Sequence, residues 1–212
     1  MKLKKFLYSS LSLFFLCLSG FGQQQMSMAE AEILKEKVEE SSKNIQSLEC
    51  NFVQTKHINM LENEVVSTGK LYYKNPDNIK WEYLSPKLIS SIFKGDQLYV
   101  IEEDNSKKID LNSNKLIQNL NELVTNSING NIFDELLFNL TYFETTENYR
   151  VEFVPKEKKI RRYYNSFDMI FSKTNFQLNS LYLREANGDY TLIEFRDKKL
   201  NGEISDSTFK VN

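Results

Sequence analysis

Apolar and polar residues alternate over short runs along most of this chain, the spacing of half-buried β-strands. In residues 79–83, Ile79, Trp81 and Tyr83 fall on one face, and Lys80 and Glu82 on the other. Residues 65–74 repeat the pattern, with Leu71 and Tyr73 opposed by Lys70 and Lys74. Asn75-Pro76-Asp77-Asn78 between the two runs is turn chemistry, so the pair predicts an antiparallel hairpin with one aromatic, apolar face. Ile89, Phe93, Leu98 and Val100 extend that face into a second hairpin, 88–94 and 97–103, about Gly95-Asp96. Further strands are predicted at 48–58, 107–111, 140–145, 149–154, 163–173, 177–185 and 189–196, the last two joined by Asn187-Gly188. A last short run follows Asn201-Gly202 and ends at Phe209.

Twice the period lengthens. Residues 27–45 predict a helix opened by the capping box Ser27-Met28-Ala29-Glu30, with Ile33, Leu34, Val38, Ser41 and Ile45 on one side. Leu116, Leu120, Leu123, Val124 and Ile128 mark a second stripe, ended by Asn129-Gly130-Asn131, and residues 133–138 a further helical turn. The order is helix, five or six strands, helices, five or six strands. Sequential hairpins imply an antiparallel meander, and the helices lack βαβ spacing. One α+β domain follows.

The start, Met1-Lys2-Leu3-Lys4-Lys5, an apolar run to Leu18 and small residues at Gly20 and Gly22, predicts a cleaved signal peptide over 1–22 and a single domain over 23–212. Loss of Lys2, Lys4 and Lys5 takes the basic count from 27 to 24 against 29 acidic residues, a net of −5. That balance argues against a nucleic-acid partner and offers no polybasic patch for an anionic membrane. Cys50 is left without a cysteine partner and alternates with Leu48 and Phe52, as a small apolar strand residue would.

Catalytic chemistry finds little support. His57 is the one histidine; no set of ligands has metal spacing, and no glycine-rich loop precedes a helix. No catalytic residue, cofactor or metal is expected. What remains is a wealth of rings, 15 Phe, 11 Tyr and 1 Trp. From the residues alone, an ordinary core and a sheet curved around an apolar hollow carry equal weight.

The run Phe52-Val53-Gln54-Thr55, Gly69-Lys70-Leu71, Asn75-Pro76 and Lys80-Trp81-Glu82-Tyr83 with Pro86, behind an export signal and an amphipathic helix, resembles the LolA family of periplasmic lipoprotein carriers. Lys94-Gly95-Asp96-Gln97-Leu98-Tyr99 fits the next hairpin of that family. The resemblance implies an incomplete antiparallel β-barrel, a curved sheet of about 11 strands, with a helical lid. It implies a periplasmic monomer, not an enzyme, that shuttles acylated lipoproteins from an inner-membrane ABC transporter of the LolCDE type to an outer-membrane receptor or the outer membrane itself. The same fold also hosts periplasmic lipid-binding, glycolipid-binding and lipid-sensing proteins. Under this reading Leu71, Tyr73, Ile79, Trp81, Tyr83, Ile89, Phe93, Leu98 and Val100 line the acyl-chain cavity. Leu34, Val38, Ile45, Leu120, Leu123 and Val124 belong to the lid. LolA proteins commonly carry an arginine before the proline at position 76, bonded to the lid. Here Asn75 replaces it, a neutral side chain without the charged fork, and Lys74 and Lys80 are the cations nearby.

Overall fold

The computed structural model describes residues 23–103, 105–113, 118, 122 and 125–211. Twelve strands form one antiparallel, open, curved sheet. They are β1 (Gln24–Gln25), β2 (Ser47–His57), β3 (Val65–Lys74), β4 (Asn78–Ser85), β5 (Ile89–Lys94), β6 (Gln97–Glu102), β7 (Asn105–Asp110), β8 (Phe138–Glu144), β9 (Asn148–Pro155), β10 (Tyr164–Ser172), β11 (Leu178–Glu185) and β12 (Tyr190–Leu200). Their order is β1-β8-β9-β10-β11-β12-β2-β3-β4-β5-β6-β7. Two meanders, β2–β7 and β8–β12, are thus joined where β12 pairs with β2. β7 lies at one edge and β8 beside the other, and the described part of the segment between them includes residues 125–137. Its Ile128 and Ile132 are buried in the same apolar cluster as the inward side chains of the sheet.

Helix α1 (Met28–Ser42) lies over that concave face. Its capping box is formed: Ser27 Oγ accepts from the Glu30 amide, and the Glu30 carboxylate accepts from the Ser27 amide at 2.7 Å. The helix ends at Ser42, not at 45. Its buried stripe is Ala31, Leu34, Val38 and Ser42. Ile33, expected on that side, is 52% exposed, and Ser41 turns its hydroxyl back to the Val38 carbonyl. An i, i+3, i+7, i+11 stripe with a small residue at each end lets the helix approach the strands closely. The larger Ile33 stripe would hold it off.

Strand positions agree with the alternation, with local differences. β1 is added at the edge, giving twelve strands where about 11 were expected. Residues 134–137 form a turn held by the Asp134 side chain, which accepts from the Leu136 and Leu137 amides, so no helical turn forms at 133–138. β12 runs on to Leu200 through a bulge. A one-turn helix, Lys158–Arg161, links β9 to β10. The C-terminal run is a 3₁₀ turn (Asp206–Phe209), not a strand. It crosses the convex face, where Ile204 and Phe209 cover Ile92, and Lys74 anchors it through the Ile204 carbonyl and the Asp206 carboxylate. Also on the convex side, buried Asp168 is clamped between Arg150 (2.9 Å) and Arg184 (2.7 Å), which ties β9, β10 and β11 together.

Candidate functional site

The concave face is built around Phe52. Opposite it in the β2–β3 register stands Gly69. A Cβ at Gly69 would come within 2.6 Å of the Phe52 ring and 2.2 Å of the Glu82 carbonyl oxygen. The missing side chain therefore makes the slot in which the ring lies. From that slot Phe52 meets Trp81 and Tyr83 edge-on, with centroids 5.0 and 5.1 Å apart, and Trp81 leans on Phe195 at 6.1 Å. Tyr83 keeps its hydroxyl satisfied by donating to Gln54 Oε1 (3.1 Å), and burial raises its pKa.

Leu71, Tyr73, Ile79, Trp81, Phe93 and Leu98 are all buried in this one cluster. Tyr83 and Val100 pack against it half-buried. Ile89 pairs with Tyr83 on the same face but lies outside the cluster. Of the residues expected in the cover, Leu34, Val38 and Ile45 are buried here. Leu120, Leu123 and Val124 lie outside the described residues.

The cover is held by side chains. Among the described residues no backbone hydrogen bond joins α1 to a strand. Lys35 lies 5.5 Å from the Tyr142 ring centre and Lys37 4.9 Å from that of Phe176. The helical residues 125–129 end at Gly130, whose φ of +79° leaves room for no Cβ: one would stand 2.8 Å from Glu39 Cα. The two covering segments therefore pack backbone to backbone on one another. Tyr73 joins them to the sheet, its hydroxyl donating to Asn129 Oδ1 at 2.8 Å. Asn75 contacts the link after α1 instead, its side-chain amide donating to Gln46 Oε1 at 2.9 Å. Among the described residues Lys74 pairs with Asp206 and Lys80 with Glu82.

Among the described residues a small hollow, about 40 Å³, lies between sheet and cover. Leu48, Cys50 and Leu71 floor it, Ile45 and Ile128 roof it, and Phe195, Leu178, Leu200 and Lys198 wall it. Ligand pockets commonly measure roughly 300–1,000 Å³, so this hollow must widen, by displacing side chains that line it, before it can take an acyl chain. Leu71 and Ile45 are the sequence-predicted residues that line the hollow. Phe195 was within reach of strand parity, opposite Phe52 in register. Leu200 and Lys198 were not, since the bulge in β12 reverses the parity beyond Arg196. Cys50 is an inert wall residue, its thiol pushed up to about 12 by burial. Two wider recesses, about 370 and 410 Å³, open at the surface around Phe138. Charged side chains, among them Glu32, Lys35, Glu122 and Lys156, line them and keep them wet.

A sequence profile of the family described as outer membrane lipoprotein carrier protein LolA matches residues 43–212. An outer-membrane lipoprotein carrier protein of Francisella tularensis subsp. novicida is 26% identical over 167 residues, 79% of this chain and 78% of that protein. Among solved structures, an uncharacterized conserved protein of Thermus thermophilus matches with a TM-score of 0.53 at 7% identity, over 86% of this chain and 94% of its own. The lipoprotein LppX of Mycobacterium tuberculosis matches at 0.51 and 11% identity, over 84% and 99%. These two likenesses are of fold.

Proposed function

This chain belongs to the LolA family of outer membrane lipoprotein carrier proteins, and from that premise we propose that it holds the acyl chains of lipoproteins between the concave face of its sheet and α1. In this reading residues 1–22 are an export leader and the domain works in the periplasm. It receives cargo from an inner-membrane ABC transporter of the LolCDE type and releases it to an outer-membrane receptor or to the membrane. The family is one of carriers, so no reaction is required of the site.

One observation carries the reading. An aromatic, apolar wall is closed by a helix that touches it through side chains, and the junction already contains a hollow. Each methylene of a lipid chain gains about 0.8 kcal/mol on leaving water, so a multiply acylated cargo needs a covered apolar wall. A cover fixed by a backbone ladder would have to break many hydrogen bonds to open. One fixed by side-chain packing and the Tyr73–Asn129 bond exchanges its own apolar contacts for those of the cargo. The free-energy difference between shut and loaded states then stays small, and a modestly better acceptor draws the cargo away.

The test is release of lipoproteins from spheroplasts. Wild-type protein should release them into the soluble fraction. Trp81→Glu, which places a charge on the wall, should be exported and folded yet release none. Release by Trp81→Glu at the wild-type rate would rule out the wall as the lipid contact. Mass spectrometry of what co-purifies with the exported protein separates lipoprotein cargo from other acylated lipids.

A further inference from the structure

Lys198 stands where strand parity would not put it. Phe195 faces inward opposite Phe52. Regular alternation would then turn 197 and 199 inward and 198 and 200 outward. Instead Arg196 pairs with Asn51 and Lys199 with Glu49, so Asp197 and Lys198 together oppose Cys50. That is a bulge, and Asp197 takes a left-handed backbone conformation, φ +53°, to make it. The Asp197 carboxylate is held on the outer side by Asn51 Nδ2 at 2.8 Å. Lys198 is thereby turned into the wall of the hollow.

The chemistry around it is lopsided. Among the described residues no carboxylate lies within ion-pair distance of Lys198. Its ammonium donates to Asn179 Oδ1 at 3.1 Å, and Asn179 in turn donates to Asn148 Oδ1 at 3.3 Å. Besides Lys198, the polar side chains that line the hollow are the neutral Gln177, Ser42 and Ser127, and the rest of its lining is apolar. Burial without a counter-ion pushes the ammonium below its ordinary pKa. A cation in that position is stabilised by an anion that arrives with the hydrocarbon.

We propose that Lys198 is a head-group contact: the hollow takes an amphiphile whose hydrocarbon tail lies against Leu71, Ile45 and Phe195 and whose anionic head, carboxylate or phosphate, meets the Lys198 ammonium. This goes beyond the carrier reading, whose ester- or amide-linked chains carry no free carboxylate or phosphate, and rests on it because the tail needs the same wall. It adds a preference the wall alone does not supply, because apolar side chains do not discriminate between heads.

The experiment is displacement of the neutral fluorescent hydrocarbon diphenylhexatriene from the purified protein. The competitors are palmitate, palmitoyl lysophosphatidic acid and hexadecanol, each below its micellar concentration. Wild-type protein should bind at least one anion about tenfold or more tighter than hexadecanol, the effect of one charge-assisted contact. Palmitate alone showing the preference identifies a carboxylate head, and the lysophospholipid alone a phosphate. Lys198→Met should bring the ratio of anion to alcohol close to one, while Lys198→Arg should keep it well above one. Equal binding of all three by the wild type overturns the head-group role while leaving the hydrocarbon site standing, and so does a preference that survives in Lys198→Met. No uptake of the probe and no displacement by any competitor overturns both this proposal and the carrier reading.

Discussion

In the middle of β9 and β10 four inward side chains, Val151, Phe153, Met169 and Phe171, are 0% exposed, although Tyr149 nearer the start of β9 is only half-buried. Along β4, β5 and β12, the inward Trp81, Phe93 and Ile193 keep 9%, 8% and 8%, and Tyr83 and Phe195 are only half-buried, while Ile79 at the start of β4 is 0% exposed. The first region is wedged by Phe133, which stacks on Phe153 at 6.3 Å and leans on Phe171 at 6.0 Å. It is clamped on its far side by the Arg150–Asp168–Arg184 bridge. The second region has its rings propped on a glycine slot and borders the hollow. One sheet thus carries a tight patch in the middle of β9 and β10 and a slacker patch from Trp81 through Tyr83 to Phe195. The slack is where an incoming chain finds the fewest contacts to displace.

That contrast can be broken by experiment. The largest effect is expected from Phe171→Ala in the tight region. A fully buried ring lost there should cost about 3–5 kcal/mol, read as a fall in the urea midpoint with an unchanged slope. Phe195→Ala in the slack region should cost roughly 1 kcal/mol, about half the transfer free energy of a fully buried Phe. It should also increase the amount of hydrocarbon probe bound. Equal losses for the two substitutions would show that the regions do not differ. A loss comparable to that of Phe195→Ala is expected for Tyr73→Phe, which removes the hydroxyl bonded to Asn129 and should cost about 0.5–1.5 kcal/mol. It should speed probe uptake measurably in stopped flow. An unchanged uptake rate would mean that this bond does not limit opening of the cover.

Much of the apolar wall of β3, β4 and β6 was legible beforehand, because those strands alternate cleanly. Leu71, Tyr73, Ile79, Trp81 and Leu98 were placed inward by parity and are inward. The tight region was recognised as strands, but nothing in its runs announced that Phe153 and Phe171 would meet a ring from the segment before β8. The replacement at Asn75 was visible in the sequence. Its partner, Gln46, was not, because the contact joins positions set side by side only after β2 and β3 pair.

Period and turn chemistry are local properties. They alone determined that this chain makes an antiparallel meander with one apolar face, opened by a capped helix. Which stripe of α1 is buried, how β12 reverses its parity at Asp197, where the C-terminal run crosses the convex side, and how large the hollow beside Cys50 is were decided by the tertiary structure. Each depends on the volume and backbone approach of residues far apart in the chain. A left-handed aspartate or a ring settling over a glycine is selected by that packing, not by its sequence neighbours.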